Sequence, residues 1–487
     1  MHALRLARVG LIFHAHATAL AGGPAAPPAS KPVITPLFEP STAVGPLAYP
    51  CFRQPELTPL GTRGELIAWT EAYPGATGGA NGSCAPALWT MTGSASTFTE
   101  RAGTSDVCDL VYRRSTDFGQ SWLPMQVLTG NNSRTTPSID WYTTVFDSVA
   151  KHLFVFVRTS LASGVGTTQF HSTDMGATFS AGTSLTLTGG SKGFKLVTPS
   201  MSHGLQLPQG RLVAPFVCGA PEPPVSTGSH THSCTVFSDN HGQTWELGGI
   251  AQNGSAETAF VQLLTKNSMA LYASMRDRGP SARQSTRLSA RSLDGGESWV
   301  DFARTEQLKA PCTPHWCSGV VAGLAALNGS GGNPPLLVFS SPSAPTSRAI
   351  LRLFTSTDEG VGWKRGPVLF QHLAGYSDMV VLPDDGVGVL FENGEKSFSD
   401  RISFATVPRS WIEAGEVRSS TLNALSEARA KTDDDIQLPT LDPLYERQAF
   451  VWADTALEAG APYKTFRKPS LVNTGKALLL FAEGRAR

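Results

Sequence analysis

Short apolar or alternating runs recur along the chain. CDLVYRR starts at Cys108, FVFVRTS at Phe154, TVFSD at Thr235, RLSARS at Arg287 and LRLFTS at Leu351. Runs of this length and pattern predict strands that enter hairpins. Downstream of each stands one eight-residue pattern: Ser, any, Asp, any, Gly, any, Ser or Thr, aromatic. It is complete as STDFGQSW from Ser115, STDMGATF from Ser172 and SLDGGESW from Ser292. SDNHGQTW from Ser238 has Asn240 in the Asp place, and STDEGVGW from Ser356 has Gly362 in the Ser/Thr place. Successive starts are 57, 66, 54 and 64 residues apart.

The octapeptide has a structural reading. Asp and Asn side chains bond nearby backbone N–H groups and stabilise a tight turn. Gly supplies a backbone conformation that other residues avoid. The aromatic residue packs the hairpin against its neighbour. A multi-strand repeat of this length is on the scale of a propeller blade. The repeated Asp residues are read as structural, not catalytic.

Composition agrees. Gly 48 and Pro 34 together make about a sixth of the 487 residues, and charged residues only 16%. That is a turn-rich β composition. Lys+Arg and Asp+Glu are both 39, so the net charge is zero. A broad electrostatic footprint for nucleic acid or anionic membrane is therefore not expected. No segment reaches the ~20 apolar residues of a membrane-spanning helix. Residues 1–22, with Arg5, Arg8 and an apolar run up to Leu20, read as a secretory signal. Residues 23–44 read as an Ala/Pro-rich linker. A signal would send the protein out of the cell or into the lumen of the endomembrane or lysosomal system; the alternative is a cytoplasmic protein. Of seven cysteines, Cys218 with Cys234 and Cys312 with Cys317 are disulfide candidates. No Cys/His cluster has zinc spacing.

Five such boxes resemble the Asp-boxes of sialidases, and the residues between the boxes extend the resemblance. Phe52-Arg53-Gln54-Pro55, followed by GELIAWTEA, is similar to the motif whose Arg is the first of three that bind the substrate carboxylate. Asp106, nine residues before Ser115, falls near the place of the catalytic acid/base; Asp109 is the alternative. Glu257 in GSAETAFVQL resembles the Glu that activates the nucleophile. Arg276 in SMRD and Arg348 before the last box resemble the second and third arginines. Tyr376 in GYSD resembles the nucleophile, and Glu392 in FENG the residue that orients the first arginine. The resemblance covers about residues 45–412. It implies an all-β, six-bladed β-propeller over 45–415. It also implies an exo-sialidase, a retaining glycoside hydrolase, acting on sialylated glycoproteins, glycolipids or oligosaccharides without metal or organic cofactor. A non-catalytic sialoglycan-binding propeller and a trans-sialidase are the alternatives.

The chemistry needs these residue types. Sialic acid bears a carboxylate on its anomeric carbon. Arg offers permanently charged, bidentate donors for it, and an acidic neighbour such as Glu392 offsets the repulsion among converging arginines. A carboxylate nucleophile would be repelled by that group, whereas a neutral phenol is not; sialidases are the glycosidases that use Tyr. A free Tyr has a pKa of ~10 and needs a base, here Glu257. Asp106 would protonate the leaving oxygen and then activate water. Trp141 and Tyr142 are candidates to line the sugar pocket.

RISFATVPRSWI, residues 401–412, is expected to be the closing strand. Residues 416–447 read as a polar linker. Residues 448–487 then carry Phe466-Arg467-Lys468-Pro469 and GKALLLFAEGR, a partial repeat of the first blade at the C-terminus.

Overall fold

A computed structural model describes residues 31–40, 42–44, 47–61, 64–73, 108–129, 138–161, 164–219, 231–278, 286–309, 312–313, 316–317, 322–329, 334–415, 465–473 and 478–485. The signal and linker expected over 1–22 and 416–447 lie outside these residues.

Strands buried along most of their length meet at tight turns and pair mainly with their sequence neighbours. The first sheet joins Cys51–Pro59, Leu66–Tyr73, Asp109–Ser115 and Gln126–Thr129. The second joins Ser138–Asp147, His152–Leu161, Gly164–Ser172 and Thr183–Ser184. The third is built on Leu196–Pro199, Leu212–Gly219, Thr231–Ser238 and Trp245–Asn253. The fourth joins Ser255–Gln262, Leu271–Asp277, Thr286–Ser292 and Val300–Lys309. The fifth has seven strands: Leu324–Leu327, Leu336–Pro342, Ala349–Ser356, Lys364–Val381, Val387–Gly394, Arg401–Val407 and Val33–Phe38. Its long strand Lys364–Val381 serves two partners. The first half pairs with Ala349–Ser356, and the second half with Val387–Gly394.

Apolar seams lie between successive sheets, giving an all-β, propeller-like arrangement. Trp69, Tyr112, Tyr142 and Val155 join the first sheet to the second; Phe156, Phe216 and Trp245 join the second to the third. Phe38, Leu57, Leu390 and Phe404 join the last sheet to the first. The octapeptide turns sit on these seams. In one, Asp174 accepts from Ser172 Oγ at 2.8 Å, Thr178 N at 2.9 Å and Thr178 Oγ1 at 2.6 Å. Its aromatic residue, Phe179, stacks on Trp69 and Tyr112 of the preceding sheet. Trp245 stacks on Phe154 and Phe156, again of the preceding sheet, and Trp122 of the first sheet reaches Phe404 of the last. The glycine is required: Gly242 has φ +79°, and a Cβ there would stand 2.1 Å from Phe154 Cζ.

The innermost strands are sheet edges, so their backbone groups need partners from elsewhere. Side chains of neighbouring sheets supply them. Thr144 N donates to Glu56 Oε1 at 2.8 Å, Ser200 N to Thr143 Oγ1 at 3.0 Å, and Thr258 N to Ser200 Oγ at 2.7 Å. Leu57 N donates to Asp378 Oδ2 at 2.8 Å, which ties the last sheet to the first.

Two expectations change. The linker over 23–44 contains the strand Val33–Phe38, which pairs with Arg401–Val407 and buries Leu37 and Phe38. A Pro-rich sequence hid it, because Pro is tolerated on the sheet edge that this strand forms. The closing strand stops at Val407, before Pro408, and Arg409–Glu413 is a short helix. The edge of that sheet is formed by Val33–Phe38. Of the two disulfide candidates, Cys218–Cys234 is formed, with Cα atoms 5.9 Å apart across paired strands. Cys312 and Cys317 are register partners in a two-residue ladder.

The C-terminal strands Thr465–Asn473 and Leu478–Arg485 form a two-stranded sheet. Their register matches that of the first hairpin. Arg467 pairs with Glu483, as Arg53 pairs with Glu71, and each pairing is followed by the same irregularity across a Pro.

Candidate active site

Four inner strands bulge at one end of the molecule, and the bulges present polar side chains off the regular alternation. The irregularities fall after Arg53, around Trp141, around Glu257 and before Ser377. Glu257 at φ 39° and Trp141 at φ 49° are in the left-handed region. Non-glycine residues there carry a cost of ~1–3 kcal/mol and cluster at functional sites.

These bulges assemble one constellation around Tyr376, which is buried at 6% exposure. Its hydroxyl donates to Glu257 Oε2 at 3.3 Å. Arg276 Nη1 donates to both Glu257 oxygens, at 2.8 and 2.7 Å, and to the Tyr376 hydroxyl at 3.1 Å. The guanidinium carbons of Arg53 and Arg348 lie 5.7 and 5.1 Å from the Tyr376 ring centre. Arg53 Nε donates to Glu392 Oε1 at 2.7 Å, and that oxygen also accepts from Gln54 N at 2.9 Å. Glu392 Oε2 accepts from Tyr376 N at 3.0 Å, so one fully buried carboxylate fixes both the arginine and the tyrosine backbone. Gly375 makes this possible, since a Cβ there would stand 2.2 Å from Glu392 Oε2.

The electrostatics follow from burial and charge. Burial pushes the Tyr376 phenol up, and Glu257 adds to that, while Arg276, Arg348 and Arg53 pull the other way. Burial would also raise Glu257, but Arg276, Arg278 and Arg348 outweigh it and hold its carboxyl below the usual range. The proton therefore rests on Tyr376 and the charge on Glu257. Burial works against the charge on Arg53, yet Glu392 keeps its pKa above the ordinary arginine value. Burial lowers Arg348, with Arg276 and Arg53 contributing.

Six of the seven residues singled out in the sequence thus stand together: Arg53, Glu257, Arg276, Arg348, Tyr376 and Glu392. Asp106 lies outside the described residues. Its alternative, Asp109, is buried on a strand and accepts from Tyr49 Oη at 2.6 Å, and burial raises its carboxyl. Trp141 is half-buried and its N donates to Glu71 Oε1 at 2.7 Å; the Arg158 guanidinium lies 4.8 Å from its ring. Tyr142 points elsewhere, is fully buried and donates to Gln54 O.

Sequence reasoning missed two residues. Phe398 closes over the arginines, with the Arg53 and Arg348 carbons 5.2 and 4.9 Å from its ring centre. Each guanidinium therefore lies within cation–π range of both Phe398 and Tyr376. The available signal was a single aromatic residue in the polar loop GEKSFSD. Arg278 lies 3.9 Å from Glu257. Its signal was its place two residues from Arg276, just past the end of the strand Leu271–Asp277.

Comparison with known proteins gives the family. A BNR repeat-like domain is matched over residues 99–390. The sialidase of Micromonospora viridifaciens is 26% identical over 401 residues, covering 78% of this chain and 55% of that protein. Human sialidase-3 is 29% identical over 246 residues, 42% of this chain and 55% of that one. The chain spans about half the length of these curated relatives. Among solved structures, Hadza microbial sialidase Hz136 superposes with a TM-score of 0.57 at 20% identity, covering 74% of this chain and 66% of that one. With repeats, fold and sequence matches in agreement, this chain belongs to the sialidase family of BNR-repeat β-propeller proteins.

Proposed function

We propose that the protein is an exo-sialidase that releases terminal sialic acids with retention of configuration through a covalent glycosyl–Tyr376 intermediate. One observation carries the reading: a buried tyrosine hydroxyl bonded to Glu257, with Arg53, Arg276 and Arg348 gathered around it. The substrate carboxylate would sit against the arginines. Tyr376 Oη would attack the anomeric carbon as its proton passes to Glu257, and the glycosidic oxygen would leave with a proton from Asp106. Water, deprotonated by Asp106, would then attack the same carbon and release Tyr376. Two inversions give net retention. No step draws on a metal or organic cofactor.

Six blades are the count we favour. The seven-stranded sheet divides at Leu373, where Lys364–Val381 passes from one partner to the next. Six apolar clusters, one of them between the two halves of that sheet, support this count. The register shared by the two Arg–Glu hairpins supports a C-terminal repeat of the first blade. The Cys218–Cys234 disulfide supports an oxidising compartment, hence a secreted or luminal protein.

The test uses the full chain, a fluorogenic aryl sialoside and proton NMR of the first-released anomer. Release of the α-anomer is expected. Tyr376→Phe keeps the ring and removes the nucleophile, so the rate should fall by several orders of magnitude. A fluorinated sialic-acid inactivator should label Tyr376. Label on Glu257 instead, or release of the β-anomer, would overturn the mechanism.

A further inference from the structure

We propose that Arg278 is a positioning residue for this site: a second cation that keeps Glu257 charged and turned to the Tyr376 hydroxyl when Arg276 is drawn to an incoming carboxylate. The inference rests on the reading above. It arises from a conflict in the geometry. A single nitrogen of Arg276, Nη1, bonds both oxygens of Glu257 and the tyrosine hydroxyl. A substrate carboxylate at the same guanidinium competes with Glu257 for it. Glu257 is only 2% exposed, so solvent cannot replace what it loses. A buried carboxylate left without a counter-charge takes up a proton, and a protonated Glu257 cannot accept one from Tyr376.

The charged and titratable groups around Glu257 come from four segments. Arg276 and Arg278 come from the strand Leu271–Asp277 and the residue after it. Arg287 comes from Thr286–Ser292, Arg348 from the bend before Ala349–Ser356, and Tyr376 from Lys364–Val381. Arg287 is held in its own sheet by Ser274, donating to its Oγ and O at 3.1 Å each. Arg348 lies against the rings of Tyr376 and Phe398. Arg278 remains. Its Nη1 is 3.9 Å from Glu257 Oε1, within ion-pair range and just beyond hydrogen-bond length. Its backbone N donates to Gly254 O at 2.7 Å, which anchors the residue past the end of the strand. The side chain is 31% exposed, so it stands at the mouth and is not locked in the core. Burial and Arg276 lower Arg278 itself, while Glu257 and Tyr376 work to keep it charged.

The experiment compares the full-length wild type with Arg278→Gln and Arg278→Lys. Turnover of the aryl sialoside by the wild type tests the enzyme reading alone. The Arg278 role is read from kcat against pH, whose acid limb reports the base in the enzyme–substrate complex. Arg278→Gln should move that limb to higher pH, by at least about threefold in the acid dissociation constant. KM should stay within about twofold. Arg278→Lys should restore the limb. A second readout does not need turnover. Carboxyl-carbon NMR of glutamate-labelled protein holding an unhydrolysed sialic-acid analogue, with Glu257→Gln identifying the resonance, should show Glu257 taking up its proton at higher pH in Arg278→Gln. An unmoved resonance and an unmoved limb would overturn the proposal. So would a rise in KM alone, which would make Arg278 a substrate contact.

Discussion

At the scale of the residue, the charges at the centre of the site are held by ion pairs that offset burial. Glu392 shows this for Arg53, and Arg276 for Glu257. Glu56 is the contrary case. It is fully buried, three residues from Arg53. Thr144 donates to Oε1 twice, while Oε2 has no partner. Burial and the nearby Asp378 raise its carboxyl well above the ordinary value. The folded protein therefore keeps a proton that the unfolded chain releases above about pH 4.3. Where the folded state binds more protons, stability falls as pH rises. Glu56→Gln mimics the protonated acid. It should be more stable than wild type at pH 8, with the advantage shrinking as the pH falls towards the carboxylate range. Urea unfolding at several pH values measures this, and a variant less stable at pH 8 would show that Glu56 is ionised in the fold.

At the scale of the element, the octapeptide turn is the unit. Its Asp or Asn closes the turn, its Gly allows a close approach, and its aromatic residue reaches the preceding sheet. Two glycines with positive φ separate conformation from contact. Gly242→Ala would drive a methyl into Phe154, whereas a methyl at Gly61, at φ +109°, would meet nothing within 4 Å. Gly61→Ala should cost about 1 kcal/mol, from backbone strain alone. Gly242→Ala should cost about 2–4 kcal/mol, because overpacking adds to strain. Chemical denaturation of the two variants gives the comparison, and equal losses would refute it. These turns were legible in the sequence because their hydrogen bonds run within eight residues. The bulges that display Glu257 and Trp141 were not, since a bulge is set by register with a partner strand.

At the scale of the whole molecule, the ring is closed by pieces far apart in sequence. Val33–Phe38 adds to Arg401–Val407, and Trp122 packs on Phe404. Removing residues 1–40 should uncover that edge and the contacts of Leu37 and Phe38, about 1.5–3 kcal/mol for each side chain fully exposed. The loss should appear as a lower midpoint in thermal unfolding and as aggregation through the open edge. Removing residues 1–30 should do neither. A protein equally stable without residues 1–40 would mean that the strand is an ornament to the ring.

The sequence by itself determined the all-β class, the repeating turns and the order of the polar residues that meet around Tyr376. Those features are local: alternation, glycine, and side chains that bond within a few positions. Only the tertiary structure decided that Glu257 carries the charge and Tyr376 the proton, because that depends on burial and on arginines brought in from other sheets. It alone placed Phe398 over the arginines and showed an edge strand within the Ala/Pro-rich segment read as a linker. Neither has a local signature, since a cation over a ring and a strand on an edge are each completed by a partner distant in the chain.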